Sequence, residues 1–169
     1  MKEEYGGLLH QHIPVDGKGN LKIADIGTGT WSETPLPIWP IELSRQLPPT
    51  ASIDAVDLSL AQCPPEAWLP KNVTLIAHDA FLPFPESMVG KYDIVHIQLF
   101  ACIVKGNDPA PLVRDLMSLL KPGDYLQRND VDIDAQRLVS VSESSQSTTK
   151  PTHDMMALMA KPRNSSVFK

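Results

Sequence analysis

The chain has 169 residues, enough for one domain with a sizeable core, and 42% of them are apolar. No apolar run approaches membrane-spanning length, and the opening MKEEYGGLLHQH has two acids and no secretory apolar stretch, so neither a membrane partner nor an export signal is expected. A net charge of −5 without a lysine or arginine cluster argues against nucleic acid as a partner and leaves small-molecule substrates open.

Residues 21–26, LKIADI, form a short apolar run ending in glycine, the pattern of a buried strand. IWPIELSRQL then places Ile38, Ile41, Leu43 and Leu47 at helical spacing. Pro40 fits if it opens that helix, and Pro48-Pro49 stops it. Residues 52–58, SIDAVDL, and 73–77, VTLIA, read as the second and third strands. The proline-rich link between them has room for one helical turn around Glu66–Leu69. YDIVHIQLF (92–100) is the most strongly β of all. In NDPAPLVRDLMSLLKPG, Asp108 caps a helix, Pro109 opens it, Leu112, Leu116, Leu119 and Leu120 share a face, and Pro122-Gly123 ends it. DYLQ (124–127) is a weaker fifth strand. Residues 139–152 are mostly Ser and Thr and read as a loop. THDMMALMAK follows as a short helix capped by Thr152, with Met155, Leu158 and Met159 packing into the core.

Strands alternating with helices and tight connections give an α/β fold, a doubly wound Rossmann-like and mainly parallel sheet of about five strands. Residues 1–135 form the cofactor-binding domain. Residues 136–169 supply the Ser/Thr-rich loop and the short helix, a partial cover for substrate. Ligands of such sheets bind beyond the carboxyl ends of the strands, at the switch point beside the first strand, where Gly27–Thr30 falls. Cys63 and Cys102 are far apart, form no C-x-x-C, and read as reduced thiols. His10-x-His12 has no third ligand nearby, so no metal is expected.

At the first loop, Gly27 permits a sharp turn and Gly29, lacking a Cβ, lets a ligand approach the backbone. Asp25 adds a carboxylate to the same crevice. A pyrophosphate disfavours a neighbouring acid, whereas a ligand with an ammonium and a sulfonium tolerates one. This tilts the reading from a nicotinamide dinucleotide toward S-adenosylmethionine. Asp57 ends the second strand, where an acid accepts both ribose hydroxyls, or merely caps a turn; it lies farther along than the ~20 residues usual for this pairing. Asp79 follows the third strand and either accepts the adenine amino hydrogens, with Ala80 and Phe81 as walls, or closes an Asx-turn. His78 reads as packing or solvent-facing. His96 is the one strand-end histidine available as a general base, although a histidine inside DIVHIQL is more often a core residue.

LKIADIGTGT, PIWPIELSRQLPP, IDAVDLSLAQCPPEAWLPKNVTLIAHDAF, VGKYDIVHIQLF and LMSLLKPGDYLQ, in that order, resemble the fungal class I S-adenosylmethionine-dependent methyltransferases. The group meant includes LaeA-like regulators and small-molecule methyltransferases of secondary-metabolite clusters, and the likeness runs from about Gly6 to about Val139. It implies S-adenosyl-L-methionine as cofactor. Asp25, Gly27, Thr28 and Gly29 would then line its methionine end, Asp57 and Leu58 the ribose, and Asp79 and Ala80 the adenine. His96–Gln98 would sit near the methyl group and substrate, with His96 as the candidate catalytic residue.

The chain departs from the family pattern in three ways. WSETPL (31–36) is extra in the glycine loop, and Pro37 stands where the family has glycine, so no helix N–H approaches the ligand there. The family's covering N-terminal helix is replaced by MKEEYGGLLHQH. The last two strands of the family sheet have no counterpart after residue 128, which implies a truncated member or a protein partner that completes the open sheet edge. Three functions compete. The first is methyl transfer to an O or N of a small molecule in secondary-metabolite biosynthesis, in the cytoplasm. The second is a degenerate, non-catalytic regulatory or partner protein, with the nucleus then open to it. The third, a nicotinamide-dependent dehydrogenase, is disfavoured by Asp25 and the lost third glycine.

Overall fold

A computed structural model describes residues 7–15, 19–29, 38–61, 63–100, 103–104, 106, 108–130, 150–151 and 154–155. Its elements in chain order are β1 (Lys22–Ile26), α1 (Ile38–Gln46), β2 (Ser52–Asp57), a 3-10 turn (Glu66–Trp68), β3 (Val73–Ala77), β4 (Tyr92–Gln98), α2 (Ala110–Leu119) and β5 (Leu120–Asn129). The five strands form one sheet in the order β3-β2-β1-β4-β5, and every pairing is parallel. The chain winds outward from β1 to β3 and then returns to the other side of β1. That reversal opens a crevice between the carboxyl ends of β1 and β4.

The two central strands are buried on both faces because both faces are covered. On one side Ile23, Ile53, Val73 and Ile94 pack with Leu43 of α1 and with Leu21 and Ile13. On the other, Ala24, Ile26, Val56, Val95 and Ile97 pack with Leu112, Leu116 and Leu119 of α2. Those three leucines sit at positions i, i+4 and i+7 and form a single stripe.

Pro40 is the third residue of α1 rather than its opener. It still lies in the first turn, where a missing N–H breaks no helical bond. At α2, the Asp108 carboxylate accepts the Ala110 N–H at 3.0 Å, while Pro109 occupies the N-cap position. The fifth strand begins earlier than DYLQ suggests. Leu120 has left the helix to start β5, and Pro122-Gly123 lies within the strand rather than ending α2. The register explains this: Tyr92 pairs with Leu120 but Ile94 already pairs with Tyr125. The extra residues bulge outward around Gly123 at φ +87°, which spares Pro122 a ladder bond it cannot make. Toward the amino ends of the strands, the Tyr92 hydroxyl donates to Asp54 at 2.7 Å, and Lys22 Nζ lies 3.3 Å from the same carboxylate. Among the described residues β5 pairs only with β4. The extra residues 31–36, Pro37, Cys102 and the stretch 131–149 lie outside the described residues. Lys150 and Pro151 are already helical, ahead of the expected start at Thr152, and Leu158 and Met159 also lie outside.

Candidate functional site

The bend after β1 depends on its two glycines. Gly27 has φ +69° and Gly29 has φ +59°, the left-handed region that a side chain resists. At Gly27 space is lacking as well: a Cβ there would fall 2.3 Å from the Phe100 ring. The bend is tied to its neighbour strand, since the Gly27 and Thr28 amides both donate to the Val56 carbonyl, at 2.8 and 3.0 Å.

Asp57 continues this tie. Its Oδ2 accepts the Gly29 N–H at 2.9 Å and its Oδ1 the Ser59 N–H at 3.2 Å. One carboxylate thus links the loop after β1 to the loop after β2, and it remains only partly buried. The Cys63 thiol is pushed up from its ordinary value by burial first and by the Asp57 charge second, so it is a poor nucleophile. Asp79 closes an Asx-turn, its Oδ1 accepting the Phe81 N–H at 2.9 Å. Beside these acids stand exposed apolar side chains, Leu58, Phe81 and Leu82, while Ala80 packs toward the α2-side core. His78 leans on Phe84, with ring centroids 4.9 Å apart.

Asp25 departs from the picture of three acids side by side at the strand tips. It is 3% exposed, and its Oδ1 lies 2.7 Å from Nδ1 of His96, its register neighbour on β4. Both side chains follow Ile23 and Ile94 by two positions, so strand alternation turns them to the α1 face. Trp39 of α1 stacks on the His96 ring at 3.9 Å and an interplanar angle of 6°. The indole N–H donates to the Leu8 carbonyl at 3.0 Å, and the same carbonyl accepts from the Gln127 amide at 3.1 Å. Gln127 Oε1 in turn accepts the His10 N–H, so the segment before β1 lies across the α1 face from α1 to β5. His96 is enclosed by these contacts and only 1% exposed. Trp39, Gln127 and Phe100 escaped the sequence reading. Period-two alternation could have put His96 and Gln127 on faces of their strands, but their pairing follows from the shifted β4–β5 register.

Two buried side-chain atoms among the described residues have no hydrogen-bond partner, Thr28 Oγ1 on the bend and His96 Nε2. Native interiors rarely leave such atoms unpaired. Thr28 lies on the bend where the crevice opens, so it fits a polar ligand there, whereas His96 Nε2 lies on the α1 face beneath Trp39. His10 and His12 meet edge to face, and no group of three metal-ligating side chains forms among the described residues.

A parallel sheet in the order 3-2-1-4-5, with a glycine bend after its first strand and an acid within or just beyond the carboxyl end of each of its first three strands, defines a Rossmann-like domain of the methyltransferase fold. The fold matches that of the plantazolicin methyltransferase BpumL at a TM-score of 0.53 and 22% identity, covering 68% of this chain and 40% of that one. No protein-family model matches the chain. It is 34% identical over 128 residues to methyltransferase grgD of a Penicillium species, covering 72% of this chain and 42% of the relative. It is 31% identical over 120 residues to the secondary metabolism regulator LAE1 of Hypocrea atroviridis, covering 71% and 32% respectively. The chain belongs with these fungal methyltransferases and LAE1-type regulators as their homologue. It spans less than half the length of the curated relatives it matches.

Proposed function

We propose that this chain is the cofactor-binding part of an S-adenosylmethionine-dependent methyltransferase that modifies an oxygen or nitrogen of a small molecule in secondary metabolism. The observation that carries the reading is the pinned bend: two left-handed glycines held to Asp57, with the buried, unpartnered Thr28 hydroxyl between them. Asp57 and Leu58 would hold the ribose, Asp79, Ala80 and the exposed Phe81 ring the adenine. Asp25, Gly27, Thr28 and Gly29 would hold the methionine end. When bound, the cofactor supplies a methyl group already activated by its sulfonium, so the chain need only bind and orient the reactants. A base enters only for an acceptor that carries a proton.

A non-catalytic regulator is the second reading. It is favoured by the enclosure of His96, the sole strand-end base candidate, and by the likeness to LAE1. Calorimetric titration with S-adenosylhomocysteine tests the shared cofactor site, and micromolar binding is expected. A tighter titration with NAD would replace methyl transfer by hydride transfer. Binding of S-adenosylhomocysteine without turnover of any hydroxyl or amine acceptor, even in the full-length protein, would select the regulator.

A further inference from the structure

We propose that His96 is a positioning residue for Asp25 rather than a catalytic one. His96 Nδ1 and Asp25 Oδ1 lie 2.7 Å apart, and both side chains are enclosed. An ionised carboxylate only accepts hydrogen bonds, so at that distance the ring proton sits on Nδ1. With Nδ1 bare, two lone pairs would face each other with no water between them. The hydrogen bond at one nitrogen decides the role of the other. In a neutral ring Nε2 is thereby the bare acceptor nitrogen, and it is buried without a partner.

Three contacts hold the ring in the plane this bond needs. Trp39 lies parallel on its face, the Leu8 carbonyl fixes the indole, and Gln127, the register neighbour of His96 on β5, fixes Leu8. Apolar side chains would fill this space without burying ionisable groups, and such replacements are often neutral or stabilising. Packing therefore does not account for the pair. Its product is a carboxylate of set orientation two residues before Gly27, at the root of the bend. The inference rests on the reading of Asp25 as a residue of the methionine end.

The test compares His96→Asn, whose amide N–H can stand in for Nδ1–H, with His96→Leu, which has no donor. S-adenosylhomocysteine affinity is expected to stay within about threefold of wild type for the Asn variant and to fall about tenfold or more for the Leu variant. Nitrogen-15 spectra of the wild-type ring are expected to show the proton on Nδ1. Equal affinity of the Leu variant and wild type would overturn the proposal, as would a tenfold loss in the Asn variant or a ring with its proton on Nε2 alone. If the Leu variant does not fold, the Asn variant decides on the same thresholds. If wild type takes up no S-adenosylhomocysteine, the functional reading fails by itself. The ring spectrum then still judges the pair, Nδ1–H sustaining it and a bare Nδ1 ending it.

Discussion

Substituting Gly27 by alanine attacks the bend in two separable ways. Its φ of +69° costs a side-chain-bearing residue about 1–2 kcal/mol. The added methyl would also stand 2.3 and 2.5 Å from two carbons of the Phe100 ring, and relieving an overlap of that kind costs about 1–3 kcal/mol. Together the change is expected to lower stability by about 2–5 kcal/mol, a large part of the ~5–15 kcal/mol that holds a domain together. Urea unfolding followed by far-ultraviolet circular dichroism measures it. Repeating the substitution on a Phe100→Leu background separates the two parts, because the shorter side chain removes the overlap and leaves the backbone penalty of about 1–2 kcal/mol. If Gly27→Ala costs as much on that background as it does beside the native ring, the ring is not what excludes a side chain. A cost under about 0.5 kcal/mol in wild type would show that the left-handed turn is not required.

Asp57→Ala should weaken S-adenosylhomocysteine binding by about 1–3 kcal/mol, since charge-assisted hydrogen bonds are lost; unchanged affinity in calorimetry would remove Asp57 from the ribose role. Asp57→Asn should bring the Cys63 thiol down by cancelling the charge that helps raise it, and faster alkylation by iodoacetamide at about pH 8.5 would report this. Tyr92→Phe should cost about 1.5 kcal/mol in urea unfolding, the low end for a bond to a charged acceptor because Asp54 keeps Lys22. Burial, then the bond to Asp54 and its charge, raise the Tyr92 phenol above its ordinary value. Its contribution is thus fully present below about pH 10 and is lost as pH climbs from there toward the folded-state value. A Tyr92→Phe variant whose stability falls just as steeply above about pH 10 would contradict that assignment.

The strand order was legible where the chain is least ambiguous. Apolar runs at 21–26 and 92–100 admit little but buried strands, and the leucine stripe of α2 stands out between its proline borders. Lys121-Pro122-Gly123 misled, because a triplet that ends helices also makes a bulge when the partner strand lets the register slip. At the crevice, each glycine and acid could be placed at a strand tip, but not which acid faces outward. Asp25 is the last but one residue of β1 and Asp57 the last of β2; only the meeting of β1 with β4 decides that one of them finds a histidine ring and the other two loop amides. Trp39 carried no such signal, because its partner lies on an element far along the chain.

The Leu8 carbonyl, shared by an indole and an amide, has a consequence for assembly. Its bond to Gln127 joins residues 119 positions apart, and the His10 bond to the same side chain spans 117. Contacts between distant stretches of chain carry the largest entropic toll and mature late. These bonds form only once β5 lies beside the segment before β1, and strong protection of the His10 amide in hydrogen exchange is the expected sign that the two are joined.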